Sequence, residues 1–211
     1  VIASEGEART FVEELGSNRA IERLEELVAS LCVENTHQNL VAARSLDSVW
    51  QRHLADSAQL LHHVSRETLD APWLDLGSGA GFPGLVIAIL RPEWPVVLVE
   101  SRKRRIEWLT RMVVKLGLER CRIEGKRLEL LDTFSASVIS ARAFAPMPRL
   151  LSLSRRFSTS DTVWLLPKGR SAEQEVAGLP RGMRRMFHVE PSLTDPESGI
   201  IVGRNKEALP Q

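Results

Sequence analysis

Between Leu74 and Gly84 the chain reads Leu-Asp-Leu-Gly-Ser-Gly-Ala-Gly-Phe-Pro-Gly, with glycines at 77, 79, 81 and 84. Glycine admits positive φ and lets a backbone approach a ligand closely. A bare turn rarely needs four glycines in eight residues, so a ligand-binding loop is the stronger expectation. Upstream, Trp73–Leu76 predicts a short buried strand; downstream, the apolar run Leu85–Leu90 predicts a buried helix. Pro83 is expected at the first helical position, where a missing N–H costs nothing. The free N–H groups of that helix start are expected to face an anionic or polar ligand. The predicted unit is strand, glycine loop, helix: the cofactor corner of an open α/β sheet.

The acid Asp75 lies in the strand just before the first glycine. A pyrophosphate would be repelled there, whereas a cofactor carrying a sulfonium and an ammonium group would be welcomed. S-adenosylmethionine is therefore the predicted cofactor, with contacts expected from Asp75, Gly77, Ser78, Gly79, Gly81 and Phe82. Glu100 ends the second predicted strand, where an acid can accept both ribose hydroxyls of an adenosine. A nicotinamide enzyme would use such an acid too, but a hydride-transfer tyrosine is missing, because the chain has no tyrosine.

Three further segments could carry chemistry. Arg102-Lys103-Arg104-Arg105 follows Glu100 and is either a solvated helix face or a phosphate clamp at the mouth of the site. Cations at a helix N-terminus oppose its dipole, which counts against the first alternative. Lys126-Arg127-Leu128-Glu129 follows the third strand, where Leu128 and Glu129 can edge the adenine or merely start a helix. Arg142, leaving a buried strand in Ser140-Ala141-Arg142-Ala143, must be paired or face a ligand. It and Lys168, in Leu166-Pro167-Lys168-Gly169, are the predicted catalytic residues; Lys168 is expected on a turn, either a plain one or one that presents the cation to a phosphate or the substrate base.

Absences narrow the chemistry. There is no Asn-Pro-Pro-aromatic quartet, neither cysteine follows a proline at a strand end, and no His/Cys spacing suits a metal. An acceptor that is already nucleophilic remains, such as guanine N7, which needs alignment and charge stabilisation but no general base.

The elements that must hold these residues follow. Residues 4–34 are predicted helical with a break at Gly16-Ser17-Asn18, where Ser17 or Asn18 caps the second helix. Asp47 is expected to cap a helix reaching about His63. From Trp73 the pattern alternates: strands at 72–76, 95–99, 121–124, 136–140 and 161–166, helices at 82–91, 102–117, 147–156 and 170–177. Ser101 is expected to cap the helix from 102, and Gly117 to end it. Two last strands near 183–189 and 198–203 would add an antiparallel hairpin. The predicted division is a helical extension, 1–70, packed on a Rossmann-like core, 71–211, with helices on both faces of the sheet.

A charged fraction of 26% and a hydrophobic fraction of 43% fit a soluble globular protein. Cys32 and Cys121 read as reduced core thiols. With an acidic start and no long apolar run, a cytoplasmic enzyme without an anchor is expected, and nothing demands more than a monomer. Residues 1–70 hold 6 basic against 12 acidic residues, and residues 71–211 hold 22 against 15. Between 102 and 127 the ratio is 10 to 3, so a nucleic acid would meet a local basic patch.

Together, Leu74–Gly84, Glu100-Ser101, Ser140–Ala143 and Leu166–Gly169 resemble the ribosomal RNA small subunit methyltransferase G family, also called glucose-inhibited division protein B. Asn39-Leu40 and His53-Leu54-x-Asp56-Ser57 match its pattern as well, and the resemblance runs from about 20 to 205. It implies a class I methyltransferase that moves methyl from S-adenosylmethionine to guanine N7 in a loop of bacterial 16S ribosomal RNA, on naked RNA or the small subunit. Loss of that activity is associated in the family with low-level streptomycin resistance. The resemblance also implies cofactor contacts at Gly77, Phe82, Glu100, Leu128, Glu129 and Arg142, and RNA contacts from Arg104, Arg105 and Lys168. Two positions depart from the family: Arg104-Arg105 stands where Lys-Arg is usual, and Arg127-Leu128-Glu129 where Arg-Ala-Glu is common. A backbone contact to adenine would survive the second change. A non-catalytic RNA-binding factor with a vestigial cofactor fold is the remaining alternative.

Overall fold

A computed structural model describes residues 1–65 and 70–204; the last seven positions of the expected core, 205–211, lie outside the described residues. Seven strands form one sheet: β1 (Trp73–Leu76), β2 (Val96–Val99), β3 (Cys121–Glu124), β4 (Val138–Ala141), β5 (Val163–Lys168), β6 (Phe187–Pro191) and β7 (Gly199–Arg204). Their order is β3-β2-β1-β4-β5-β7-β6. The first five run parallel, and β7 enters antiparallel between β5 and β6. The predicted hairpin is therefore present, with its second strand against the core and its first at the edge.

Alternation along the strands divides two apolar layers. Trp73, Val96, Leu98 and Leu165 face one side, with α1 (Glu5–Leu15), α2 (Asn18–Glu34), α4 (Gly84–Leu90) and α5 (Lys103–Lys115). Leu74, Leu76, Val97, Val99 and Trp164 face the other, under α6 (Met147–Ser154) and α7 (Ala172–Ala177). A short α8 (Arg181–Arg184), not foreseen, leads into β6.

Ser17 caps α2, accepting from the Ala20 N–H at 3.3 Å, and Gly117, at φ +59°, lets the chain turn after α5. Other caps come from distant or unexpected residues. Residues 50–63 wind as a π-helical turn (Trp50–Ala55), α3 (Asp56–Ala58) and a 3-10 turn (Gln59–His63). Its first N–H groups, on Trp50 and Gln51, donate to the Glu5 carboxylate from α1 at 3.0 and 2.8 Å, so Asp47 is not the cap. Ser101 does not cap α5 either; Glu100 accepts from the N–H groups of Ser101 and Arg102 at 2.7 and 2.9 Å. Cys121 is buried as expected, but Cys32 is exposed, one residue off the Ala20–Leu24–Leu27–Leu31 stripe that α2 buries. Among the described residues no helix is long and apolar enough to cross a membrane.

Candidate active site

The glycine loop between β1 and α4 is braced from within. Ser78 N–H donates to Val99 O at 3.0 Å, Gly79 N–H to Glu100 Oε2 at 3.1 Å, and Gly81 N–H to Ser78 O at 2.7 Å. Gly84 N–H, at the start of α4, donates to Asp75 Oδ2 at 3.2 Å. This corrects the expectation for the helix start: Pro83 precedes the helix, and the Gly84 donor is held by the chain's own carboxylate. Asp75 itself is 0% exposed and also accepts from Ser140 Oγ at 2.7 Å. Burial foremost raises its pKa, against the opposing hydrogen bonds from Ser140, Ser78 and Gly84. The acid therefore shapes the loop from below, with both carboxylate oxygens turned to partners inside the core.

Beside the loop, at the carboxyl ends of β1, β2 and β4, lies a cavity of about 490 Å³. This is the switch point of the sheet, where the order reverses between β1 and β4. Its lining includes Gly77, Glu100, Arg102, Arg105, Leu128 and Glu129 from the predicted set. Gly77 has φ +66°, and a Cβ there would meet Phe144 Cδ2 at 2.7 Å, so only glycine leaves this wall open. Glu100 is 6% exposed and lines the cavity, while its carboxylate braces Gly79 and the start of α5. Leu128 is buried in a 3-10 turn, Leu128–Leu130, and gives the cavity an apolar side.

Arg142 takes a different direction. Its guanidinium lies 3.3 Å from Asp56 Oδ2, 3.3 Å from His53 Nδ1 and 5.3 Å above the Phe82 ring. It lines a second cleft, of about 600 Å³, between the N-terminal helices, the ends of β4 and β5, and the turn before β7. Phe82 stacks on His53 at 4.9 Å and is 3% exposed, so its side chain supports Arg142 and does not border the cavity. A guanidinium can only donate, so His53 Nδ1 is the acceptor and its proton lies on Nε2, which donates to Ser45 Oγ at 2.8 Å; Ser45 in turn donates to Ala42 O at 2.7 Å. Burial first, then Arg142 and Arg52, hold the His53 pKa down to about 3, so the ring is neutral.

The family follows from comparison with known proteins. The family model described as rRNA small subunit methyltransferase G matches residues 20–192. A relative of that name from Erythrobacter litoralis is 60% identical, over 98% of this chain and 99% of that protein. Another, from Novosphingobium aromaticivorans, is 52% identical over 96% and 89%.

The chain belongs to the rRNA small subunit methyltransferase G family.

Solved structures agree on the fold. The precorrin-6y C5,15-methyltransferase of Geobacter metallireducens superposes with a TM-score of 0.53 at 13% identity, covering 81% of this chain and 92% of that one. The fibrillarin/Nop5p complex gives 0.55 at 15% identity, covering 74% and 82%. The architecture is that of a class I methyltransferase.

Among the methyltransferase G site candidates, Gly77, Glu100, Arg102, Arg105, Leu128 and Glu129 meet at one cavity, whereas Asp75, Ser78, Gly79, Gly81 and Phe82 build its support. Of the basic run, Arg105 lies 4.0 Å from Glu100, Arg104 donates to His37 O at 3.2 Å, and Lys103 is exposed at the start of α5. Lys168 is the last residue of β5, not a turn residue, and its Nζ lies 2.9 Å from Glu175 Oε2. Three contributors escaped the sequence reading. Phe144, which borders the cavity, directly follows the Ser140–Ala143 segment but had no role, and Asp56 lay in a matched motif without an assigned partner. Glu175 had no signal, being seven residues from Lys168 on a separate element.

Proposed function

We propose that this chain methylates N7 of a guanine in a loop of bacterial 16S ribosomal RNA, using S-adenosylmethionine held in the cavity at the sheet's switch point. The observation that carries the reading is that cavity: a cradle closed to any Cβ at Gly77, an acid at the end of β2, and an apolar side at Leu128, in a chain of this family. Its volume, about 490 Å³, suits a nucleoside-sized cofactor. Glu100 would receive the ribose hydroxyls, Leu128 and Glu129 would edge the adenine, and Gly77 would let the backbone close on the amino-acid end. When bound, the cofactor supplies a sulfonium-activated methyl group and leaves as a neutral thioether.

The chain's own work is alignment and charge. Guanine N7 has an in-plane lone pair and no proton, so no side chain needs to act as a base. The positive charge passes to the guanine ring, and nearby groups must tolerate it. Arg102 and Arg105 at the cavity rim, with Arg127 and Arg149 also lining it, suit the phosphates that flank the base. Arg142 and Lys168 face the clefts beside the cavity, where the base and its strand would enter. Such a substrate would place the work in the bacterial cytoplasm, and we take one chain as the working unit.

The test is methyl transfer from labelled cofactor to small-subunit RNA, followed by borohydride and aniline cleavage and primer extension. A single new stop, absent in a strain lacking the protein, is expected. Label that enters the RNA without a cleavable N7 site would refute the N7 assignment. No label at all would favour a non-catalytic RNA-binding factor.

A further inference from the structure

Two clefts adjoin the donor cavity, and all three share Ala143, whose φ of +52° is rare outside glycine. One cleft runs under Phe144–Pro148 toward α7; the other is the Arg142 cleft. Lys168 and Glu175 line both. A base entering through either cleft would pass both Ala143 and this pair.

Lys168 and Glu175 side chains are 11% and 25% exposed, with Nζ and Oε2 2.9 Å apart. Oε2 is buried against Lys168 Nζ, its ionic partner. The other oxygen, Oε1, accepts from Ser171 Oγ at 3.0 Å, which anchors the carboxylate. With one donor on it, Oε1 keeps acceptor capacity for a further hydrogen bond.

We propose that Lys168 and Glu175 read the Watson–Crick edge of the acceptor guanine, Lys168 donating to O6 and Glu175 accepting from N1–H and the N2 amino group. This rests on the guanine-N7 reading above. Guanine presents an acceptor beside two donors on that edge, and the pair presents a cation beside a carboxylate. Adenine, with an amino donor where guanine has O6 and no proton on N1, would set donor against Lys168 and lone pair against Glu175. N7 lies across the ring from N1, so an edge held at the pair leaves N7 free to turn toward Ala143 and the donor cavity. Methylation makes the ring cationic and N1–H more acidic, so the Glu175 contact strengthens as the reaction proceeds. Glu175 should therefore act on kcat as well as on KM.

The experiment uses small subunits reconstituted with 16S RNA carrying either guanine or inosine at the mapped methylation site. Inosine lacks only the N2 amino group. The native chain is expected to favour guanine by about 10- to 100-fold in kcat/KM, the discrimination of one good base contact. Glu175→Gln should bring that preference to within about threefold, mainly by lowering kcat on guanine, with donor affinity unchanged. The exchanged pair Lys168→Glu with Glu175→Lys keeps the ion pair, and so tests the idea even where the single variant unfolds. It should fold and bind the donor yet leave guanine unmethylated. Recovery of the native rate by the exchanged pair, or an undiminished guanine preference in Glu175→Gln, would reduce Lys168 and Glu175 to a structural contact. A native chain that methylates both RNAs equally would overturn the edge reading alone, whereas one that methylates neither would overturn the methyltransferase reading with it.

Discussion

Gly77 is the residue at which backbone conformation and cavity shape coincide. Its positive φ and the 2.7 Å approach of Phe144 to an added Cβ leave no room for a side chain. Gly77→Asp should weaken S-adenosylmethionine binding by more than about 100-fold in calorimetry. Unchanged affinity would remove the cavity from the cofactor's path. His53 makes a separate prediction. Its folded pKa of about 3 lies below the ordinary 6.5, so the unfolded chain binds the proton more readily. Stability is therefore lost as pH falls below 6.5, and this loss continues until about pH 3. Between pH 6.5 and 5 it amounts to on the order of 2 kcal/mol. His53→Gln, which keeps an acceptor for Arg142 but does not titrate, should flatten that part of the profile in urea unfolding. A slope equal to the native one would mean that His53 is not the titrating group.

At the scale of elements, the C-terminal hairpin depends on a missing side chain. In β7, a Cβ on Gly203 would overlap the Phe187 ring of the paired β6 residue. That ring packs against Trp164 of β5, 6.0 Å away, and cannot shift without opening the second apolar layer. Gly203→Ala should lower stability by about 1–3 kcal/mol, read as a lower melting temperature. The same hairpin holds the N-terminal helices. Leu193 N–H donates to Gln59 Oε1 at 2.8 Å, Thr194 Oγ1 to Asp56 Oδ1 at 3.1 Å, and Ile2 N–H to Leu193 O at 2.6 Å. Asp56 thus joins three segments, the N-terminal helices, the end of β4 through Arg142, and the hairpin turn. Element types and most boundaries were legible because each strand and helix follows its own apolar period. The π-helical turn at Trp50–Ala55 was not, since the Glu5 carboxylate that organises its start comes from 45 residues upstream.

At the scale of the whole molecule, five basic residues from separate segments converge on the cavity. The segment 102–127 is basic by 10 residues to 3, and Arg102, Arg105, Lys126, Arg127 and Arg149 all border the cavity. Phosphate contacts release counterions, so RNA affinity should fall steeply with salt. Arg102→Ala is expected to reduce the slope of log K against log salt by about 0.7 to 0.9, with similar loss on unrelated RNA sequences. A salt titration by fluorescence would check this, and an unaltered slope would move the phosphate contact elsewhere.

The sequence by itself determined the glycine loop, the acid at the end of β2, the alternation of strands and helices, and the family pattern. Each of these is a local requirement: a backbone needing no Cβ, a period of two or of 3.6, an acid at a strand end. Only the tertiary structure decided which carboxylates line the cavity and which turn into the core. Asp75 turned inward because Ser140 and Gly84, 65 and 9 residues away, give its oxygens partners inside the core. Arg142 turned from the cavity to Asp56, 86 residues upstream, and Lys168 met Glu175 across a turn. Polar groups leaving buried strands must find partners, and those partners are chosen by which chain segments come together in three dimensions, a choice that spacing along the chain does not record.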